Sequence, residues 1–163
     1  MPDYEKEREM VDVIACLQEK IGYKFKDMKS VASACFPCSD EEHKRFRRLE
    51  QIGDRVYTLA MAEEYYERFP GMRGSDIGNN VSDIISNKYM DYTARVKGLD
   101  EYLLHFPTFN PHLADSVEAL VGALYFDGGY EVAKKFVVDN FFPEENPLIR
   151  NENGQICSMP KGW

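Results

Sequence analysis

An all-α helical bundle is the fold class this sequence predicts, and three observations carry it. Apolar residues recur at three- and four-residue spacing almost throughout the 163 positions. Strict alternation of apolar and polar residues, the mark of strands, is scarce. Glycine and proline clusters punctuate the periodic stretches at intervals that suit helices joined by short loops.

The elements follow in order. Val11, Ile14, Ala15 and Leu17 begin a helix that should stop by Gly22. Met28, Val31, Ala32 and Cys35 mark a second, ended by Pro37, whose ring cannot continue it. Residues 39–45 form a charged loop or a helix start, with Ser39 a candidate N-cap and Glu42 three residues on. A long helix is expected from about 46 to 69, closed by Pro70-Gly71, and another from 75 to about 95 with a break near Ser86-Asn87. A short helix after Gly98 precedes the run from His105 to Pro111, a loop by its prolines. A helix over 112–126 is closed by Asp127-Gly128-Gly129, and an amphipathic one follows from Tyr130 to Phe141. From Pro143 onward the composition is that of a surface tail, giving a domain over 1–142 and a tail over 143–163.

Composition narrows the class further. A hydrophobic content of 44% with 29% charged residues is that of a globular chain, and the length suits one domain with a proper core. The first ten residues are dense in charge, with neither an apolar signal segment nor an acid-poor presequence, and no apolar run reaches membrane-spanning length. No membrane partner and a cytoplasmic or nuclear location are expected. The formal net charge of −8 runs against nucleic-acid binding, because a phosphate backbone is held by Lys and Arg. The concentrated basic stretch is His43-Lys44-Arg45-Phe46-Arg47-Arg48, which reads either as a phosphate-facing patch or as a charged helix start paired with Asp40, Glu41 and Glu42. Cys35 and Cys38 form a Cys-x-x-Cys, but a zinc site needs four ligands, and two thiols at a helix end are the favoured reading.

Four acids carry the chemistry. Glu50 and Asp54 are spaced i,i+4, and Asp115 and Glu118 i,i+3, so each pair shares one face of a helix. Both pairs sit among apolar residues: Leu49, Ile52, Val56 and Leu59 around the first, Leu113, Val117, Leu120 and Val121 around the second. Carboxylates drawn partly into a core repel one another unless a cation joins them, and oxygen-only ligands suit Mg²⁺ or Mn²⁺. The plainer reading, a solvated acidic face, stands beside this for either pair alone. Gly53 lies inside the first acidic helix, where it costs about 1 kcal/mol relative to alanine. It implies close approach of a bound partner or of another helix, with Gly122 a matching small residue on the second.

These runs also resemble a known family. Arg48-Leu49-Glu50-Gln51-Ile52-Gly53-Asp54-Arg55 is similar to the signature of the ribonuclease III endonuclease domain. Ala114-Asp115-Ser116-Val117-Glu118-Ala119-Leu120-Val121-Gly122-Ala123-Leu124-Tyr125-Phe126-Asp127-Gly128-Gly129 follows that family's second motif nearly residue for residue. Leu17 through Phe25, Ser86-Asn87 and Gly98-Leu99-Asp100-Glu101-Tyr102-Leu103 fall in the family's order, so the resemblance covers roughly residues 10–142. It implies a ribonuclease III-type helical endonuclease domain in which Glu50, Asp54, Asp115 and Glu118 are the catalytic and metal-binding residues. Mg²⁺, with Mn²⁺ as a possible substitute, would activate water against double-stranded RNA and leave 5′-phosphate and 3′-hydroxyl ends.

Several departures bear on partners. Gln51 stands where relatives carry an aromatic that inserts into the partner subunit. A homodimer is still implied, with Ile52, Val56 and Tyr57 as remaining interface residues, or else a heterodimer or an RNA-binding partner protein. Arg47 stands where relatives carry an acid, and Arg55 where they carry a small residue. Asn79, Val81 and Asp83 occupy positions that are arginines in relatives. Lys44, Arg45, Arg47, Arg48 and Arg55 are left as RNA-binding candidates. The alternatives to an active nuclease are a catalytically weak or inactive domain of this type serving as an RNA-binding or assembly module, and an acidic helical interaction protein.

Overall fold

The computed structural model describes residues 3–103, 112–143, 148–150 and 156–158, with side chains described from residue 8 to residue 143 outside the gap. The expected loop from His105 to Pro111 lies outside the described residues. Among them are eight helices: α1 (Asp3–Ile21), α2 (Met28–Cys35), α3 (Asp40–Arg68), α4 (Gly74–Ile84), α5 (Asn87–Val96), α6 (Asp100–Leu103), α7 (Leu113–Gly128) and α8 (Tyr130–Phe141). The all-α expectation holds for the described residues among 3–142. Within 143–163 two short strands, β1 (Leu148–Arg150) and β2 (Ile156–Ser158), pair antiparallel with Leu148 opposite Ser158.

The helices begin and end for identifiable reasons. The basic segment before the acid signature is helical, so α3 starts six residues ahead of the expected 46. Ser39 caps it: its hydroxyl accepts from the Glu42 amide, while the Glu42 carboxylate accepts from the Cys38 amide and the Ser39 hydroxyl. Asp40, Glu41 and Glu42 in the first turn suit the positive end of the helix dipole. The break between α4 and α5 falls at Ser86, whose hydroxyl donates to the Asp83 carbonyl and accepts from the Tyr89 amide. The helix α7 runs two residues past the expected end and stops at Gly129, where φ is +87° and glycine is favoured.

The core is organised around α7, whose Leu113, Ala114, Val117, Ala119, Leu120, Val121, Ala123 and Leu124 are all buried. The helix α3 packs against it more intimately than any other pair of elements, with α2, α5 and α8 completing the enclosure. Two glycines set that intimacy. A Cβ at Gly53 would stand 1.7 Å from the Glu118 carbonyl oxygen, and one at Gly122 would stand 2.2 Å from that of Leu49. The α3–α7 backbones therefore touch at two reciprocal points, each admitting no side chain. This is the tight helix crossing among the readings open for Gly53.

Candidate metal centre

The crossing decides what the four acids can do. Glu50 and Asp54 project from α3, and Asp115 and Glu118 from α7. Glu50, Asp115 and Glu118 each offer a carboxylate oxygen, and these oxygens lie within 4.8 Å of one another. Glu50 and Asp115 are mostly covered, their side chains 14% and 16% exposed. Asp54 is not within this tight group. Its side chain is 46% exposed at the rim, with Oδ2 3.2 Å from Nη1 of Arg55.

Electrostatics record the crowding. Burial, then the charges of Asp54, Asp115 and Glu50, push the Glu118 carboxyl up to about 8. A carboxyl so raised keeps its proton near neutral pH unless positive charge arrives. The donor set is all oxygen, acidic and half-buried, which fits a hard divalent cation such as Mg²⁺ or Mn²⁺.

One side chain already supplies positive charge there. Nη1 of Arg47 lies 2.6 Å from Oε2 of Glu50 and 3.1 Å from Oδ2 of Asp115, bridging α3 and α7. Its i,i+3 spacing to Glu50 was legible as a helix pair; its reach to Asp115 depends on the crossing and had no signal in the sequence.

The remaining basic candidates separate. Arg55 stays at the rim, donating to the Gln51 carbonyl and Asp54. Arg45 turns toward α2 and donates to the Ser33 hydroxyl at 3.4 Å. Lys44 pairs with Glu41 at 3.7 Å, and Arg48 is exposed. On α4, Val81 is buried in the core, while Asn79 and Asp83 are exposed.

The expected interface residues also separate, and one needs correcting. Gln51 is exposed and Ile52 half-buried. Tyr57 is 1% exposed, and its hydroxyl donates to the Ile84 carbonyl at 3.2 Å, so it belongs to the core and not to any docking surface. Val56 is buried except at one edge, where it joins Ile52, Leu59, Tyr125, Phe126 and Tyr130 in a shallow apolar groove. Leu59, two helical turns from Ile52, was the residue that spacing could have found. It is 52% exposed, and Phe126 beside it is 63% exposed.

Cys35 is sealed in the core, where burial pushes its thiol up to about 12, while Cys38 is exposed. Among the described residues no group suited to a metal includes either thiol. Among the described residues no helix is long and apolar enough to cross a membrane.

Residues 34–145 match a family model described as Ribonuclease-III-like. The chain is 31% identical over 156 residues to Ribonuclease 3 of Bdellovibrio bacteriovorus, covering 84% of this chain and 64% of that protein. It is 33% identical over 137 residues to Ribonuclease 3 of Pseudomonas fluorescens, covering 76% and 57%. The chain thus spans roughly three fifths of the length of these curated relatives. In fold it is similar to two structures of the nuclease domain of ribonuclease III from Campylobacter jejuni. Both give a TM-score of 0.65, at 23% and 22% identity, and they cover 77% and 89% of this chain. One of them is described for flexibility in a region involved in dimer formation.

Proposed function

This chain belongs to the ribonuclease III-like family, and from that premise we propose that it is a divalent-cation-dependent endoribonuclease of double-stranded RNA, producing 5′-phosphate and 3′-hydroxyl ends. The observation that carries the proposal is the set of three carboxylates from two helices, gathered within 4.8 Å by the glycine-mediated crossing. A solvated acidic face does not require acids to be half-buried on elements so rigidly joined.

Glu50, Asp115 and Glu118 would hold Mg²⁺, or Mn²⁺ in its place, with Asp54 at the rim. The bound ion would supply charge neutralisation at the scissile phosphate and lower the pKa of water. The protein's own contribution is placement. Glu50 and Asp115 are held by their burial on the crossing helices, and Asp54 faces solvent, where it can orient a water molecule. Arg48 and Arg55, exposed on α3, and Lys44 near its start are the groups available to backbone phosphates. No Ser, Cys or His nucleophile is required, since water is the attacking group.

Residues 1–142 form the nuclease domain in this reading, and 143–163 lie outside it. The apolar groove beside α3 supports a homodimer, with a heterodimer or an RNA-binding partner as the other arrangements. A cytoplasmic or nuclear site of action completes this reading.

A second reading, a weak or inactive RNA-binding or assembly module, has its own support: Arg47 satisfies two of the acids, and the net charge of −8 suits assembly with a protein partner. Incubating the pure protein with long duplex RNA in Mg²⁺, and again with EDTA, separates the two. Cleavage that EDTA stops, and that Glu118→Gln and Asp54→Asn abolish with the helical circular dichroism unchanged, supports the nuclease. A mobility shift without cleavage selects the module, and neither result leaves the acidic interaction protein.

A further inference from the structure

Arg47 is the feature that the nuclease reading does not absorb. It sits one turn before Glu50 on α3, and a single guanidinium nitrogen bonds Glu50 at 2.6 Å and Asp115 at 3.1 Å. Two of the three clustered carboxylates are therefore engaged by one protein cation. The partners differ in freedom: the acids are 14% and 16% exposed, whereas the arginine side chain is 49% exposed, with solvent beside it to swing into.

We propose that Arg47 is a resident competitor for the divalent cation: it holds Glu50 and Asp115 together as their countercharge and must give them up for the ion to bind. The inference rests on the metal-site reading above and adds what this chain's own arginine does to it.

Two effects of opposite sign follow. Without the ion, Arg47 relieves the repulsion between half-buried carboxylates and stabilises the fold. Toward the ion, it occupies the ligands' lone pairs and adds a like charge at contact distance, which weakens binding. A merely structural arginine would give the first effect and not the second. A residue that orients the ligands for the ion would give a second effect of the other sign, a loss of affinity on removal.

The experiment is direct binding of Mn²⁺, followed by the electron paramagnetic resonance of the free ion, with no RNA present, alongside melting in EDTA. Arg47→Ala is expected to bind Mn²⁺ about tenfold more tightly, the scale of changes made beside a metal's ligands, and to melt at a lower temperature in EDTA. Arg47→Lys keeps the charge but loses the planar fork, and is expected to lie between wild type and Arg47→Ala on both readouts. Lys24→Ala removes an equal charge from the exposed turn after α1, away from any acid of the cluster, and is expected to change neither. Equal or weaker binding by Arg47→Ala overturns the competitor role, as does an equal gain in Lys24→Ala, which would trace the effect to net charge. If Arg47→Ala does not fold, Arg47→Lys decides alone, and wild-type affinity in it overturns the proposal. Absence of Mn²⁺ binding in every variant removes the metal site itself and the inference with it, a result distinct from equal binding.

Discussion

Tyr23 donates a hydrogen bond to Asp127 at 2.6 Å, joining residues 104 positions apart. The same carboxylate accepts from the backbone amides of Lys26, at 3.0 Å, and Asp27, at 2.7 Å, so the turn after α1 is tied to the last turn of α7. Burial pushes the Asp127 carboxyl up, yet these donors outweigh it and hold it below its ordinary value. Tyr23→Phe is expected to cost about 1 kcal/mol, an ordinary net hydrogen bond. Asp127→Ala is expected to cost roughly 2–3 kcal/mol, since three donors lose their acceptor. Urea unfolding at neutral pH measures both. The depressed carboxyl contributes stability above the usual carboxylate range and loses it as pH falls through its folded value, so Asp127→Asn should flatten part of the acid limb.

Gly53→Ala places a methyl group on the Glu118 carbonyl oxygen at a separation no structure tolerates, so the helices must part. The expected loss is at least 1–3 kcal/mol, the usual scale of overpacking, despite alanine's better helix propensity. Because the carboxylates of both helices move apart with it, Mn²⁺ affinity should fall in any variant that still folds. Chemical denaturation and Mn²⁺ titration together check this.

The Glu118 carboxyl, raised to about 8, makes stability depend on pH with a definite sign. In the unfolded chain this group ionises near the ordinary glutamate value of about 4.3. Between that value and about 8 the folded state therefore holds the extra proton. Stability in EDTA is then expected to fall as pH rises through that window, the reverse of the usual acid-side carboxylate behaviour. Glu118→Gln, uncharged throughout, should remove the slope and be the more stable protein at pH 8. Urea midpoints in EDTA from pH 5 to 8.5 test it, and a flat wild-type profile would count against the crowding of charge.

For the proposed dimer, Gln51 is an exposed amide beside the groove that contains Ile52, Leu59 and Phe126. An aromatic there would bury upwards of 100 Å² of apolar surface, worth about 2–3 kcal/mol at ordinary transfer coefficients. Gln51→Phe is expected to tighten self-association, and Leu59→Arg to weaken it. Sedimentation across a dilution series decides, and a wild-type dimer that persists at nanomolar concentration would contradict the weak interface expected from Gln51.

The bundle was legible because its helices repeat their apolar residues at regular intervals, and α8 matches its expected bounds. The start of α3 was obscured for a physical reason: its first turns are solvated on most sides, so apolar periodicity begins at Phe46 although the Ser39 cap sets the helix in motion earlier. Tyr57 misled because α3 meets α7, α8 and α4 on different sides, and spacing alone does not say which apolar position faces solvent. The acids were legible as two pairs, but which three converge, with Asp54 left at the rim, depends on the angle and depth of a crossing between distant helices. The strand pair at 148–158 comes from segments of three residues each, too short to show a period.

The reciprocal seating of Gly53 and Gly122 also bears on how the molecule folds. The two halves of the acid cluster lie on helices separated by three others in sequence, so loop closure must precede any meeting of α3 with α7. A partly folded chain has either pair of carboxylates but not the set. A cation bound there as proposed would be a ligand of the completed fold alone, and its binding energy would add to global stability in full by mass action. The amides at this crossing should consequently exchange with solvent only through whole-molecule unfolding, on the same slow timescale for both helices.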